Sequence, residues 1–196
     1  MEKTDLQNLG CQYLPDILTE DEVSEVMKSI GNIANSEPKY DDNRGTALIS
    51  YSPKECGFLM KKMHSLMEKN IGEELLPSYW FFTVYYPGAY MSPHKDRFSC
   101  EVSLSLNLQS TGTSWPLQIY DYYGNVQQFC TPPGSAVAYL GTALEHWREP
   151  LKCEDNEKHI QLFLHYVRKN GSFTSFAYDE GKCHSILGEI YGSAAN

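Results

Sequence analysis

The spacing of apolar residues changes once along this chain, and the change divides it into two parts. In two stretches between residues 19 and 72, apolar residues recur every three to four positions, which predicts amphipathic helices. From Tyr79 to Val167 the period becomes two, which predicts short β-strands separated by turns rich in Gly, Pro and Asn. Helices followed by a run of strands favour a mainly β fold, a sandwich or distorted barrel buttressed by helices.

Each predicted helix has its own start signal. Residues 19–22 read Thr-Glu-Asp-Glu, a capping box that should begin a helix of about 15 residues. Residues 52–55 read Ser-Pro-Lys-Glu and repeat the device, with proline at the first helical position. The polar stretch 35–50 between them predicts a loop, and a lid over a barrel mouth is one use for such a loop.

The strands and the chain length predict a single domain of 196 residues. Strands are predicted at residues 79–86, 101–108, 117–121, 126–130, 136–140 and 160–167. The domain then comprises N-terminal helices over about 19–72, a β core over about 79–168, and a tail over 169–196 for which the sequence predicts no element.

Charge and composition narrow the range of partners and compartments. A net charge of -9 argues against nucleic acid as the main partner. No apolar run approaches the roughly 20 residues of a membrane-spanning helix, so no membrane association is expected. The polar first residues lack a secretory segment, and the six scattered cysteines are therefore expected to be reduced thiols in a cytoplasmic protein.

Three residues of the strand-rich part have the chemistry of a metal site. His94 and Asp96 are two residues apart, so in an extended strand their side chains point the same way and can reach one ion. His146, on a later apolar run, supplies a third ligand from a neighbouring strand. Two imidazoles and one carboxylate on one face leave other coordination positions open, the arrangement typical of non-haem iron(II).

The surrounding sequence resembles the iron(II)- and 2-oxoglutarate-dependent dioxygenases, on their prolyl 4-hydroxylase-like branch. The stretch YYPGAYMSPHKD at 85–96 is similar to the family's Tyr-x-Pro-Gly and His-x-Asp segment, and VSLSLN at 102–107 to its next strand. PPGSAVAY at 132–139 resembles the strand before the distal histidine, and HWREPL at 146–151 the His-x-x-x-Pro-Val segment. WPLQIYD at 115–121 stands where the family has a glycine pair, which is missing here.

This resemblance, over roughly residues 79 to 168, implies a fold, a reaction and two cofactors. The fold would be a double-stranded β-helix, or jelly roll. The protein would bind Fe(II), with His94, Asp96 and His146 as ligands, and 2-oxoglutarate as co-substrate. With molecular oxygen it would hydroxylate an amino-acid or peptidyl side chain or a small metabolite, with succinate and CO2 as co-products.

The resemblance also suggests which residues bind 2-oxoglutarate. Tyr85 matches the family tyrosine whose hydroxyl bonds the co-substrate, and Ser105 and Asn107 lie on the polar face of their strand, where they would complete the pocket. The family places a cation at the start of the last strand, about ten residues after the distal histidine. Here Lys158, twelve residues after His146, is expected to bind the distal carboxylate, with Arg148 and Arg168 as alternatives.

Arg97, Trp147 and Arg148 lie next to the expected ligands and are candidates for substrate contacts. His159 and His165 share one face of the last strand, where a structural role and a ligand contact both remain open. Two other functions remain as alternatives. One is a cupin-type metal dioxygenase or isomerase without 2-oxoglutarate, although the His-x-His pair typical of cupins is absent. The other is a non-catalytic jelly-roll binding module.

Overall fold

A computed structural model describes residues 2–42, 44–179 and 184–191 of the chain. Its α-helices are α1 (Asp5–Leu9), α2 (Glu20–Ala34), α3 (Phe58–Ile71) and α4 (His184–Tyr191). Its strands are β1 (Cys11–Leu14), β2 (Lys39–Asp41), β3 (Gly45–Tyr51), β4 (Leu75–Tyr85), β5 (Met91–His94), β6 (Val102–Gln109), β7 (Leu117–Tyr120), β8 (Val126–Phe129), β9 (Ala136–Tyr139), β10 (His146–Arg148) and β11 (His159–Arg168).

These strands form two antiparallel sheets that face each other. The larger sheet has the order β1-β9-β6-β11-β4-β3-β2, and the smaller one has the order β5-β10-β7-β8. Tyr139 of the larger sheet packs against His146 of the smaller one, with ring centroids 4.7 Å apart. The mainly β jelly-roll fold with flanking helices is therefore confirmed.

The two faces of the larger sheet carry different kinds of buried side chain. On the outer face, the indole of Trp80 donates to the carbonyl of Pro53 at 2.9 Å and the hydroxyl of Tyr166 donates to the carbonyl of Met60 at 2.8 Å, which attaches the sheet to the α3 region. The opposite face, toward the smaller sheet, carries buried polar side chains on β4, β6 and β11. We call these the polar interior: Thr83, Tyr85, Ser103, Ser105, Asn107, His159, Gln161 and His165.

The two predicted helix starts have different outcomes. The capping box at Thr19 is present, with its hydroxyl accepting from the backbone N–H of Glu22, and α2 has 15 residues. The predicted cap at Ser52 is wrong. Ser52 has φ of 46°, whereas an N-cap residue has extended backbone angles, and its hydroxyl donates to the carbonyl of Trp80 instead. A short 3-10 turn, Lys54–Cys56, follows, and α3 begins only at Phe58.

The stretch predicted to be a loop at 35–50 contains β2 and most of β3. From Ala47 to Tyr51, β3 pairs with β4 and extends the larger sheet toward its edge. Other elements absent from the prediction are short: α1, β1, β5, β10 and, in the tail, α4.

None of the helices within the described residues is both long and apolar enough to cross a membrane. The cysteines in those residues, Cys11, Cys56, Cys100, Cys130 and Cys153, are free thiols.

Candidate active site

His94 and His146 meet because β5 and β10 pair side by side. His94 ends β5, His146 begins β10, and the two are register partners whose ring centroids lie 4.4 Å apart. From Met91 to His94 there are three steps along β5, opposite two steps along β10, so β5 carries an extra residue at Ser92–Pro93. Such a bulge turns the end of a strand, and proline has no N–H to donate to the ladder.

Both imidazoles are held in one tautomer. Nδ1 of His94 lies 2.8 Å from the carbonyl oxygen of Ser92, and Nδ1 of His146 lies 3.0 Å from that of Leu144. A carbonyl only accepts, so each Nδ1 carries the hydrogen and each Nε2 keeps a free lone pair in the neutral ring. Backbone carbonyls fix metal-binding histidines in this way.

Asp96 completes the cluster from two residues beyond the end of β5. Its Oδ1 lies 3.5 Å from Nε2 of His94 and 3.6 Å from Nε2 of His146. Burial would raise the pKa of Asp96, but the hydrogen bonds and positive charge that His146 and His94 supply when Nε2 of each ring is also protonated outweigh it and hold that pKa far below its ordinary value. Asp96 is therefore a carboxylate. The three ligand atoms lie within 4.8 Å of one another, so the structure brings together the side chains of His94, Asp96 and His146 that the sequence suggests as metal ligands.

A second group of possible ligands shares Asp96. Ligand atoms of Asp96, Cys100 and His165 also lie within 4.8 Å of one another. Burial raises the pKa of Cys100 to about 12, so a metal would have to displace the proton of this thiol before the sulfur could bind it. The cluster of His94, Asp96 and His146 is the better metal site.

The cluster of His94, Asp96 and His146 is open on the side of His94. The side chain of His94 is 37% exposed, whereas that of His146 is 1% exposed. A cavity of about 270 Å³ lies there, lined by Arg44, Met91, Ser92, Pro93 and His94. A larger cavity of about 750 Å³, beside the start of α2, is lined by none of the predicted site residues.

The residues expected to bind co-substrate separate into two groups. Tyr85, Ser105 and Asn107 all belong to the polar interior. Lys158 does not join them, because its ammonium lies 2.8 Å from Oδ1 of Asn35, at the end of α2. Successive side chains alternate along an extended strand, and the next residue, His159, is the one that points inward beside its register partner Tyr85. The ammonium of Lys158, which was expected to bind the distal carboxylate, therefore lies away from Tyr85, Ser105 and Asn107.

The three residues suggested as substrate contacts lie in three different environments. Arg97 stacks over the ring of Tyr79 at 4.4 Å and pairs with Asp179. Trp147 faces away from the interior and packs against Tyr120 at 5.1 Å. Arg148 points inward, on the same side of β10 as His146, and only 3% of it is exposed.

Sequence reasoning missed Thr83, Trp115, Gln161 and Arg44 as neighbours of the site, and it left His159 undecided. Trp115 contacts three of the residues that lie between the two sheets. Its ring lies 4.9 Å from the ring of Tyr85, 5.0 Å from that of His159, and 4.6 Å from the guanidinium of Arg148. No local motif marks this contact, because four separate segments bring these residues together. The alternation along β11 is the one sequence signal that favoured His159 over Lys158.

No protein-family model and no curated protein sequence matches the chain, but solved structures do. A Pseudomonas putida prolyl-4-hydroxylase is similar to it with a TM-score of 0.67 and 20% identity, over 84% of this chain and 95% of that one. A Trichoplax adhaerens prolyl hydroxylase, solved with a hypoxia inducible factor peptide fragment, has a TM-score of 0.68 and 14% identity, over 84% of this chain and 86% of that one. The epimerase SnoN, solved with Fe3+, alpha ketoglutarate and nogalamycin RO, has a TM-score of 0.68 and 12% identity, over 83% of this chain and 80% of that one. The fold is that of the 2-oxoglutarate-Fe(II) oxygenases.

Proposed function

We propose that this protein is an iron(II)- and 2-oxoglutarate-dependent oxygenase that hydroxylates an amino-acid or peptidyl side chain or a small metabolite. The observation that carries the proposal is the cluster of His94, Asp96 and His146, in which both Nε2 atoms lie beside one carboxylate oxygen. Two imidazoles and a carboxylate on one face, with the other side open, are the donor set that non-haem iron(II) takes.

The polar interior supports a second ligand beside the metal. Among the described residues, the buried side-chain atoms without a hydrogen-bond partner are Thr83 Oγ1, Tyr85 Oη, Asn107 Oδ1, His159 Nδ1 and His165 Nε2. All five belong to the polar interior. Each buried polar atom left unpaired costs about 1–3 kcal/mol, so a polar guest that reaches them would remove that cost. The residues present therefore fit a small polar co-substrate such as 2-oxoglutarate.

When bound, iron(II), 2-oxoglutarate and oxygen together supply the oxidation of a substrate C–H bond, with succinate and CO2 as co-products. The residues of this chain would bind and orient the metal, the co-substrate and the substrate. Ser92 and Leu144 hold the two imidazoles through their carbonyls, and the buried hydroxyl of Tyr85 would donate to the co-substrate. Burial of His146 and Arg148 keeps water from the inner side, and the cavity beside His94 admits the substrate.

The structural neighbours include both hydroxylases and an epimerase, so the outcome of the oxidation needs a direct test. The purified protein should be supplied with iron(II), 2-oxoglutarate and air, together with a panel of amino acids, peptides and small metabolites. We expect succinate to form with at least one of them and that compound to gain one oxygen atom in mass. Succinate no higher than in the Asp96→Ala protein across the panel would count against the proposal. Succinate with an isomerised product would retain the class and exclude hydroxylation.

A further inference from the structure

A second group of possible metal ligands shares Asp96 with the proposed iron site. It consists of Asp96, Cys100 and His165, whose ligand atoms lie within 4.8 Å of one another. The 3-10 turn Phe98–Cys100 follows shortly after Asp96, and the backbone N–H of Cys100 donates to the carbonyl of Arg97 at 2.9 Å. This turn brings the thiol back beside the carboxylate, while the imidazole comes from β11.

The two carboxylate oxygens of Asp96 face different neighbours. Its Oδ1 lies 3.5 Å from Nε2 of His94 and 3.6 Å from Nε2 of His146. Its Oδ2 instead accepts from the hydroxyl of Ser103 at 3.3 Å, and that hydroxyl lies 2.9 Å from Nδ1 of His165. One carboxylate can therefore bind an ion on each side, through a different oxygen.

His165 has a buried nitrogen that the fold does not use. Only 2% of the residue is exposed, and its Nε2 has no hydrogen-bond partner among the described residues. Ser103 has one hydroxyl hydrogen, which the charged carboxylate of Asp96 attracts more strongly than a neutral ring does. Nδ1 of His165 is therefore the donor to Ser103, and Nε2 keeps a free lone pair. A metal ion bound by this nitrogen would give the buried atom a partner.

Cys100 determines which metals suit this group of ligands. The residue is 2% exposed, and its sulfur lies 3.2 Å from the hydroxyl of Tyr79. Sulfur ligands select softer ions such as zinc(II) and cadmium(II), whereas the proposed iron site offers only nitrogen and oxygen. A cysteine sulfur, an imidazole nitrogen and a carboxylate oxygen are all zinc ligands, and a water molecule beside them completes the tetrahedron that zinc prefers.

We propose that Asp96, Cys100 and His165 form a second metal site, which binds a thiophilic divalent ion such as zinc(II). On binding, the sulfur of Cys100 forms a bond to the metal and its proton passes to the solvent. Two divalent ions that share one carboxylate repel each other, so an ion in this site lowers the affinity of the iron site. The second site is thus a means of inhibition by soft metals. Only the effect on iron rests on the proposed function.

Cadmium(II) is the probe for this site, because a thiolate bound to cadmium has a charge-transfer band in the ultraviolet. Cys130 is exposed and Cys153 is partly exposed, while Cys183 lies outside the described residues. The titration therefore uses a triple variant with Cys130→Ser, Cys153→Ser and Cys183→Ser, without oxygen. We expect the band to appear and to saturate at equimolar cadmium. A triple variant that gives no band would overturn the inference.

Further substitutions in the triple variant assign the band to its ligands. Cys100→Ser should abolish it, and His165→Gln should weaken cadmium binding by at least about tenfold. Cys56→Ser is the matched control, since that thiol is also buried but lies beside the carbonyl of Pro53. This control and His146→Ala, which disrupts only the iron site, should keep the band.

Three results would overturn the assignment of the second site. They are a band that persists in Cys100→Ser, a band lost in Cys56→Ser or His146→Ala, and unchanged cadmium affinity in His165→Gln. The last of these decides the matter if Cys100→Ser does not fold.

The effect on iron is measured as the iron(II) affinity with and without zinc(II), in the wild type and in Cys100→Ala. Zinc also competes directly for the iron site, but this competition is the same in both proteins. We expect zinc to lower the iron affinity of the wild type by roughly fivefold or more beyond its effect in Cys100→Ala. Equal effects would overturn the inhibitory role. A wild type that binds cadmium but no iron would leave the second site standing, and the proposed function would fail.

Discussion

The carboxylate of Asp96 lies directly against the backbone of Gly141. The backbone N–H of Asp96 donates to the carbonyl of Gly141 at 2.9 Å. A Cβ added at Gly141 would lie 2.2 Å from Oδ2 of Asp96 and 2.6 Å from the carbonyl oxygen of Cys100. Real Cβ contacts are never that short, so position 141 has room only for glycine while Asp96 holds its present position.

Gly141→Ala should therefore displace Asp96 and weaken metal binding by at least about tenfold, comparable to losing an outer partner of a ligand. Gly31→Ala is the matched control, since a Cβ at that helical position meets nothing within 4 Å. Titration with cobalt(II), followed by its absorption, would measure both affinities. Wild-type affinity in Gly141→Ala would contradict the geometry of the site.

The three proposed ligands should be required for metal binding but not for folding. His94→Ala, Asp96→Ala and His146→Ala should each abolish iron binding, while circular dichroism and the thermal midpoint stay near those of the wild type. The reason is that the core between the helices and the larger sheet, not an ion, stabilises the fold. Unchanged iron affinity in His146→Ala would refute the assignment.

Ser103 should tune the metal site through Asp96. Its hydroxyl lies 3.3 Å from Oδ2 of Asp96 and 2.9 Å from Nδ1 of His165, so it orients the carboxylate from behind. Ser103→Ala should weaken metal binding by roughly tenfold. Ser105, two residues along the same strand, donates to Gln161 instead of Asp96. Ser105→Ala should therefore leave the metal affinity unchanged. Equal effects of the two substitutions would mean that the hydroxyl of Ser103 does not act on Asp96.

The free energy of unfolding should fall as the solution is acidified, because two buried histidines resist protonation in the folded state. Burial lowers the pKa of His159 to about 3 and that of His165 to about 4, from 6.5 in an exposed ring. Below pH 6.5 the unfolded chain binds protons that the folded chain does not, so the free energy of unfolding decreases as pH falls toward 4. Each such histidine contributes a slope of up to about 1.4 kcal/mol per pH unit.

Urea unfolding of the metal-free protein at pH 7 and pH 5 would measure this slope, and His159→Gln should make it shallower. The same slope in His159→Gln and wild type would show that His159 is not held neutral in the folded state.

Local sequence was enough to suggest the three candidate metal ligands, which the fold brings together, but it was not enough to predict the pocket beside them. His94 and Asp96 are two residues apart, and the flanks of His146 matched a known pattern, so the triad could be predicted without the fold. Lys158 was expected in the pocket from its distance to His146, but a one-residue difference reverses the side of a strand, and His159 took the inward position. Trp115, Thr83 and Arg148 meet only because the topology brings distant segments together.

In the fold, too, elements with a clear local sequence signal were predicted, and elements that depend on distant contacts were not. The longer alternating strands were found, whereas β5 and β10 are too short for a periodic signal. Ser52 has the sequence of a helix cap, but its contact with Trp80 holds it in another conformation.

The most direct test of the central claim is an anaerobic titration of the iron(II)-loaded protein with 2-oxoglutarate, followed by visible absorption. A chelate of a 2-oxo acid with iron(II) produces a charge-transfer band that neither component shows alone. We expect this band in the wild type, saturating at equimolar co-substrate, and no band in Asp96→Ala. Iron bound by the wild type with no such band at saturating 2-oxoglutarate would contradict the account.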